Sequence, residues 1–145
     1  MLRKPVHGEE AAPPYTDAMA GMTDLHEILG ALRPYVRQGA YVVVTTQTPP
    51  DVAYHARIVE DEGTTLVLDQ AIADEYHLPY EGVFGWITLE AHTSLQAVGI
   101  TAAVSNALAR VGLSCNVLAG YYHDHLLVPL DSVEEALGVL GGLGE

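Results

Sequence analysis

The chain has 145 residues, enough for one domain or two small intertwined ones, and 49% of them are hydrophobic, which excludes a disordered chain. Its 19 acidic residues face only 6 basic ones (Arg3, Lys4, Arg33, Arg37, Arg57 and Arg110), for a formal net charge of −13; cations so few and scattered argue against a nucleic-acid partner. No apolar run approaches the ~20 residues that cross a bilayer, the start has no apolar signal core, and a lone Cys115 cannot close an intrachain disulfide, so a cytoplasmic protein with no membrane partner is expected.

Residues 1–20 carry Pro5, Pro13 and Pro14 among small and acidic residues and read as a flexible tail. A helix is expected from Thr23 to Leu32, with Leu25, Ile28, Leu29 and Leu32 at helical spacing and Pro34 ending it. "AYVVVTTQ", 40–47, is β-branched and reads as a buried strand. "AYHARIVED", 53–61, and "TTLVLD", 64–69, read as a hairpin across Glu62 and Gly63, and a short helical segment follows up to Pro79. "GVFGWITLEA", 82–91, is the next strand. The helix at 98–111 sets Ile100, Val104, Ala107, Leu108 and Val111 on one face and stops at Gly112. "SCNVLAGY", 114–121, and "HLLVP", 125–129, form a second hairpin. Asp131 and Glu134 suggest a capping box on a last helix, with Val133, Leu137 and Leu140 facing inward.

The second half therefore reads β-α-β-β-α, and the first half carries a similar inventory in another order. The expected fold is α+β: a ferredoxin-like antiparallel sheet with helices on one face. A degenerate tandem pair fits both halves, divided as 21–80 and 81–145, although no residue-level repeat is present.

From Phe84 to Leu130 the only formal charges are Glu90, Arg110 and Asp124. A segment so poor in charge is buried on more than one side. Within it, "YYHDHLLVP", 121–129, places Asp124 between His123 and His125. On a regular strand the two histidines face one way and Asp124 the other. Zinc requires three or four ligands, and a third beyond His123 and His125 would have to come from His92 or His55. A catalytic His–Asp pair would need Ser94, Thr101 or Cys115 as nucleophile, but no G-x-S-x-G elbow is present and neighbouring strand side chains diverge. Neither a catalytic residue nor a cofactor is expected. Gly99 stands where the first N–H groups of the 98–111 helix lack intrahelical partners, a place where a carboxylate docks without Lys or Arg. It equally suits a plain helix start. Asn116 either contacts a ligand or satisfies a neighbouring loop, and Tyr121 and Tyr122 pack over the sheet edge.

"AVGITAAVSNALARVGLSCNVLAGYYHDHLLVP", 97–129, resembles the ACT domain, closest to the branch of small free-standing bacterial ACT proteins and cytosolic arginine sensors. The match rests on Gly99 to Ala103, on "GLS" entering the next strand, and on the aromatic hairpin with one Asp before "LLVP". The resemblance implies a non-catalytic regulatory protein that senses a small molecule, an amino acid, between paired units, as a homodimer or within one chain. It implies ligand contacts in the loop from Leu95 to Thr101, on the strand from Cys115 to Val117, and at Asp124. The candidate ligand-binding residues are His92, Val98, Gly99, Ile100, Thr101, Asn116, Tyr121 and Asp124. Val98 to Ile100 would hold the carboxylate, Asp124 a cationic group, His92 and Asn116 auxiliary positions, and His123 and His125 would flank Asp124 as walls. Two alternatives stay open: a ligand-free dimeric interaction protein, and a metal-linked enzyme using His123 and His125.

Overall fold

The computed structural model describes residues 25–90 and 98–144. The N-terminal segment through Asp24, which holds the expected tail, and residues 91–97, which include the candidate His92, lie outside the described residues. In chain order the elements are α1 (Leu25–Ala31), β1 (Arg33–Thr46), β2 (Ala56–Glu60), β3 (Gly63–Asp69), α2 (Gln70–Glu75), β4 (Phe84–Glu90), α3 (Ile100–Arg110), β5 (Asn116–Ala119), β6 (Asp124–Pro129) and α4 (Val133–Gly141). The six strands of the described residues join one antiparallel sheet in the order β2-β3-β1-β4-β6-β5, and the fold is α+β and ferredoxin-like as expected.

β1 departs most from the sequence reading. It is 14 residues long and begins at Arg33 rather than near residue 40. Its first half pairs with β4 (Val36 opposite Ile87), and its second half pairs with β3 (Val44 opposite Leu66). The register shifts between Arg37 and Tyr41, where Gly39 takes φ 124 and the Tyr41 hydroxyl donates to the Gln38 carbonyl at 2.7 Å. Pro34 ends α1, as expected, but it then sits inside a strand, opposite Leu89. The stretch from Arg33 to Gly39 looks like a connector because only one of its faces is apolar. The long strand welds the two halves, so the apolar segments of β1 and β4 are interior strands with neighbours on both sides.

Alternation along the strands creates two different faces. One packs the helices. Ile87, Leu89, Leu126 and Val128 of the sheet meet Ile28, Ile100, Val104, Leu108, Ala136 and Leu140, and a smaller cluster gathers Val42, Val44, Leu66 and Leu68 around Ala73 of α2. The other face centres on Tyr41, Val67, Trp86 and Leu127.

α3 buries Ile100, Val104, Ala107 and Leu108, an i, i+4, i+7, i+8 stripe. It ends in a Schellman pair: Gly112 N–H bonds the Ala109 carbonyl and Leu113 N–H the Leu108 carbonyl, each at 3.0 Å, with Gly112 at φ 76. The expected capping box before α4 does not form. A 3-10 turn over Leu130–Ser132 precedes the helix, and the capping position falls on Ser132, which makes no side-chain cap bond. The turn keeps the chain close to β4, with Leu130 N–H bonding the Val83 carbonyl at 3.0 Å.

Gly85 lies under the start of α4, where a Cβ would stand 2.1 Å from Cγ2 of Val133. Val133 is β-branched and held on a helix, so it cannot swing aside easily. Gly85→Ala is therefore expected to lower the unfolding free energy by about 1–3 kcal/mol. Adding Val133→Ala should recover part of that loss, as urea unfolding of the single and double variants would measure. Additive losses would show that the contact is not the cause.

Candidate functional site

The expected ligand residues fall into two groups. One gathers where β4 ends, α3 begins and the β5–β6 hairpin turns. β6 starts at Asp124, which is paired with Leu89 at the end of β4 and with Ala119 at the end of β5. Asp124 shares a strand face with Leu126 and Val128, so it lies on the helix side of the sheet. It is half-buried, and burial raises its carboxyl pKa above the ordinary 3.8.

At the same end, Gly99 caps α3 in a left-handed conformation (φ 96, ψ −10) with no side-chain cap bond. Its carbonyl accepts the first helical bond, from Ala103 at 2.9 Å. Among the described residues the N–H groups of the first turn have no side-chain cap, at the positive end of an 11-residue helix. Gly99 is required twice over: its φ disfavours any other residue, and a Cβ would approach Leu25 Cδ2 to 3.1 Å. Val98 is 88% exposed and Thr101 is exposed, whereas the Ile100 side chain is in the core, so Ile100 offers only its backbone. Tyr121 is exposed at the hairpin tip, its ring edge-to-face with Tyr122 at 5.0 Å.

The second group is turned away. Asn116 begins β5 opposite Leu127 and lies on the other sheet face, three residues or ~10 Å along the strand from the pair to Asp124. His125 is also on that face and is not a wall for Asp124. Its Nδ1 lies 3.1 Å from Trp86 Nε1 and 2.9 Å from Thr88 Oγ1. An indole N–H can only donate, so Nδ1 is the acceptor and the imidazole proton sits on Nε2. His123 meets His125 edge-on at 6.5 Å. Among the described residues no group of three or more His, Cys, Asp or Glu is placed to hold a metal ion. Among the described residues no helix is long and apolar enough to cross a membrane.

Sequence reasoning missed the polar–aromatic cluster around Trp86. Arg37 lies over its ring with Cζ 4.3 Å from the centroid, and Tyr41, His55 and His125 lie 5.3 to 5.5 Å away. His55 Nε2 reaches Asp69 Oδ1 at 2.8 Å. Four strands and a loop contribute these residues, and only the repeated aromatic and His content hinted at them. Burial, Arg37 and His123 all lower the His125 pKa from 6.5. The folded state thus binds fewer protons there than the unfolded chain. This contribution to stability is complete above pH 6.5 and is lost as the pH falls from 6.5 through the lower folded value. A histidine NMR titration should place His125 below 6.5, with the Trp86 indole N–H signal moving as Nδ1 protonates. A midpoint at or above 6.5 would contradict the hydrogen-bond assignment.

The fold and the arrangement at the sheet end are those of paired ferredoxin-like units. Models of the ACT domain match the chain over residues 20–85 and again over 81–141. A protein of unknown function from Vibrio cholerae, described as a "Possible Transport Protein", is 37% identical; the alignment covers 83% of this chain and 96% of that one, with a TM-score of 0.77. A protein from Agrobacterium tumefaciens is 16% identical over 78% of this chain and 89% of its own, with a TM-score of 0.67. The regulatory subunit of aspartate kinase from Thermus thermophilus is 10% identical over 77% and 97%, with a TM-score of 0.56; at these identities the last two share the fold. No curated protein sequence matches the chain at a significant level. The chain belongs to the ACT-domain family. Its role is accordingly of the regulatory, small-molecule-sensing kind.

Proposed function

We propose that this chain is a non-catalytic sensor whose ligand is an amino acid. The observation that supports the proposal is that a half-buried carboxylate, Asp124, lies on the helix side of the sheet beside the end of β4, the strand that precedes α3, and that α3 starts at Gly99 with no side-chain cap among the described residues. The ligand's carboxylate would dock on the N–H groups from Val98 to Ile100 at the start of α3, where Gly99 lets it approach. Asp124 would receive the α-ammonium or a basic side chain. A cation there removes the cost of holding a carboxylate in a desolvated place. Tyr121 would close over the site. Asn116 takes no part, because it lies on the opposite face.

We further propose two ACT units, 21–80 and 81–145, acting in the cytoplasm as a homodimer. The edge strand β2 supports the dimer, since Ile58 is 48% and Val59 76% exposed there and, among the described residues, the strand's outer hydrogen-bonding side has no partner. Neither a cofactor nor nucleic acid enters this reading.

A thermal-shift panel of the amino acids tests it. A ligand at 100 times its Kd adds about 2.7 kcal/mol of stability. At about 2–4 °C per kcal/mol for a chain of this size, at least one amino acid should raise Tm by about 5–10 °C. A flat panel would overturn the reading.

A further inference from the structure

We infer that His125 is a proton-operated latch: neutral, it holds the turn of the β5–β6 hairpin against β4, and protonated in mild acid it lets the turn go. The register sets it in one cross-strand row, Tyr35, Thr88, His125 and Leu118, on the sheet face opposite Asp124. The hairpin turn is closed by the Gly120 N–H, which donates to the His123 carbonyl at 3.0 Å. Asp124, the first residue of β6, stands in the chain between that turn and His125.

The two edges of the His125 ring meet different parts of the fold. Nδ1 accepts from the Trp86 indole N–H at 3.1 Å, and the Thr88 hydroxyl lies 2.9 Å from the same nitrogen. Both partners are buried on β4. The opposite edge faces the Gly120 backbone, where a Cβ would stand 3.0 Å from Nε2 and 2.7 Å from the His123 carbonyl. The ring is thus wedged between β4 and the turn. Protonation puts an N–H on Nδ1 in front of the indole N–H, which can only donate. A hydrogen bond becomes a contact between two donors. Thr88 Oγ1, 3.2 Å from the indole nitrogen, takes over as its acceptor, so β4 keeps its own bonds while the ring loses its donor. A half-buried imidazolium is costly and is drawn outward to water. Gly120 stands against the ring, so the turn moves with it.

The charged and titratable groups of this face are Arg33, Tyr35 and Arg37 on β1, Glu90 on β4, His123 in the turn, and Tyr41, His55 and Asp69 around the Trp86 ring. Arg33 is engaged with the Gly30 and Leu32 carbonyls, and His55 with Asp69. Burial first, then Arg37 and His123, disfavour a proton on His125. The latch therefore stays closed above pH 6.5 and opens as the pH falls from 6.5 through the lower folded value. What the opening does to ligand binding rests on the amino-acid reading of Asp124. The latch itself does not, because its motion is read on the turn without ligand.

The test follows the ligand-free, full-length protein by NMR from about pH 7.5 to about pH 4.5. Protection of the Gly120 amide against hydrogen exchange, corrected for the intrinsic pH dependence of exchange, should fall about tenfold or more, the worth of about one hydrogen bond. The fall should share its midpoint with the His125 ring, while amides of the β1–β3 ladder keep their protection. His125→Asn sets an amide oxygen near the place of Nδ1 and does not titrate, so it should keep Gly120 protected across the range. A wild-type loss that tracks the His125 midpoint supports the latch and requires no variant. Protection that persists across the range, a midpoint apart from that of His125, or an equal loss in folded His125→Asn overturns it; the last outcome would assign the step to Asp124 or His123. A flat amino-acid panel with the acid step present removes the sensor reading and keeps the latch. A ligand-induced shift at neutral pH without the acid step does the reverse.

Discussion

Asp124→Asn is expected to abolish most of the Tm rise that the stabilising amino acid produces in the wild type. The substitution keeps size and shape but removes the charge that would meet the ligand's cationic group. Losing a rise of about 5–10 °C corresponds to losing most of ~2.7 kcal/mol of ligand stabilisation. The unliganded protein should behave in the opposite way. Burial raises the Asp124 pKa above 3.8, so the folded state holds its proton more tightly than the unfolded chain does. Stability from this group is present at low pH and is lost as the pH rises from 3.8 through the raised folded value. At neutral pH the wild type carries that cost and the Asn variant does not, so the variant's ligand-free Tm should be equal or higher. The gap should close on acidification toward pH 3.8. A variant that is less stable without ligand, or that shifts with ligand as much as the wild type, would remove Asp124 from the site.

Leu108→Ala is expected to cost about 2–5 kcal/mol, or roughly 5–15 °C in Tm. Leu108 is fully buried, in the core where α3, α4 and the sheet meet. Its carbonyl also accepts the Leu113 N–H that ends the helix. The side chain has no route by which neighbours could fill its space cheaply, because strands β4 and β6 form a rigid floor beneath it. Urea unfolding should show a lower midpoint with an unchanged m-value. A loss below about 1 kcal/mol would mean that α3 is held less by this stripe than by its ends. Because α3 presents its N-terminus at the proposed amino-acid site, Leu108→Ala should also weaken the ligand-induced shift.

What was legible in the sequence came from local rules. Ile100, Val104, Ala107 and Leu108 announced α3 by spacing, and Gly112 announced its end by a conformation that glycine adopts without penalty. Short apolar runs marked β3, β4 and β6, and successive residues along them face opposite sides of the sheet. The motif around Gly99 and Asp124 placed both at one end of the sheet, because a strand, a helix and a hairpin of these lengths return there whatever the rest of the chain does. The limits were equally local. Arg33 to Gly39 carries one apolar face and a glycine, which suits a connector as well as a strand. Only its pairing with β4 made it a strand. Asp131 and Glu134 had capping-box spacing, but the bond from Leu130 to Val83 draws the chain into a 3-10 turn first.

The sequence by itself determined the element order, the ferredoxin-like class and the family resemblance, because each rests on spacing within about 30 residues and on steric rules of the chain. The tertiary structure alone decided which side each candidate serves. Asp124 and His125 are neighbours in the chain, yet one faces the helices and the other faces Trp86. Trp86, Arg37 and Asn116 fall in one cross-strand row only because β1, β4, β6 and β5 lie side by side in one register. Register is a property of many long-range contacts at once, and a slip of one residue would exchange the two faces.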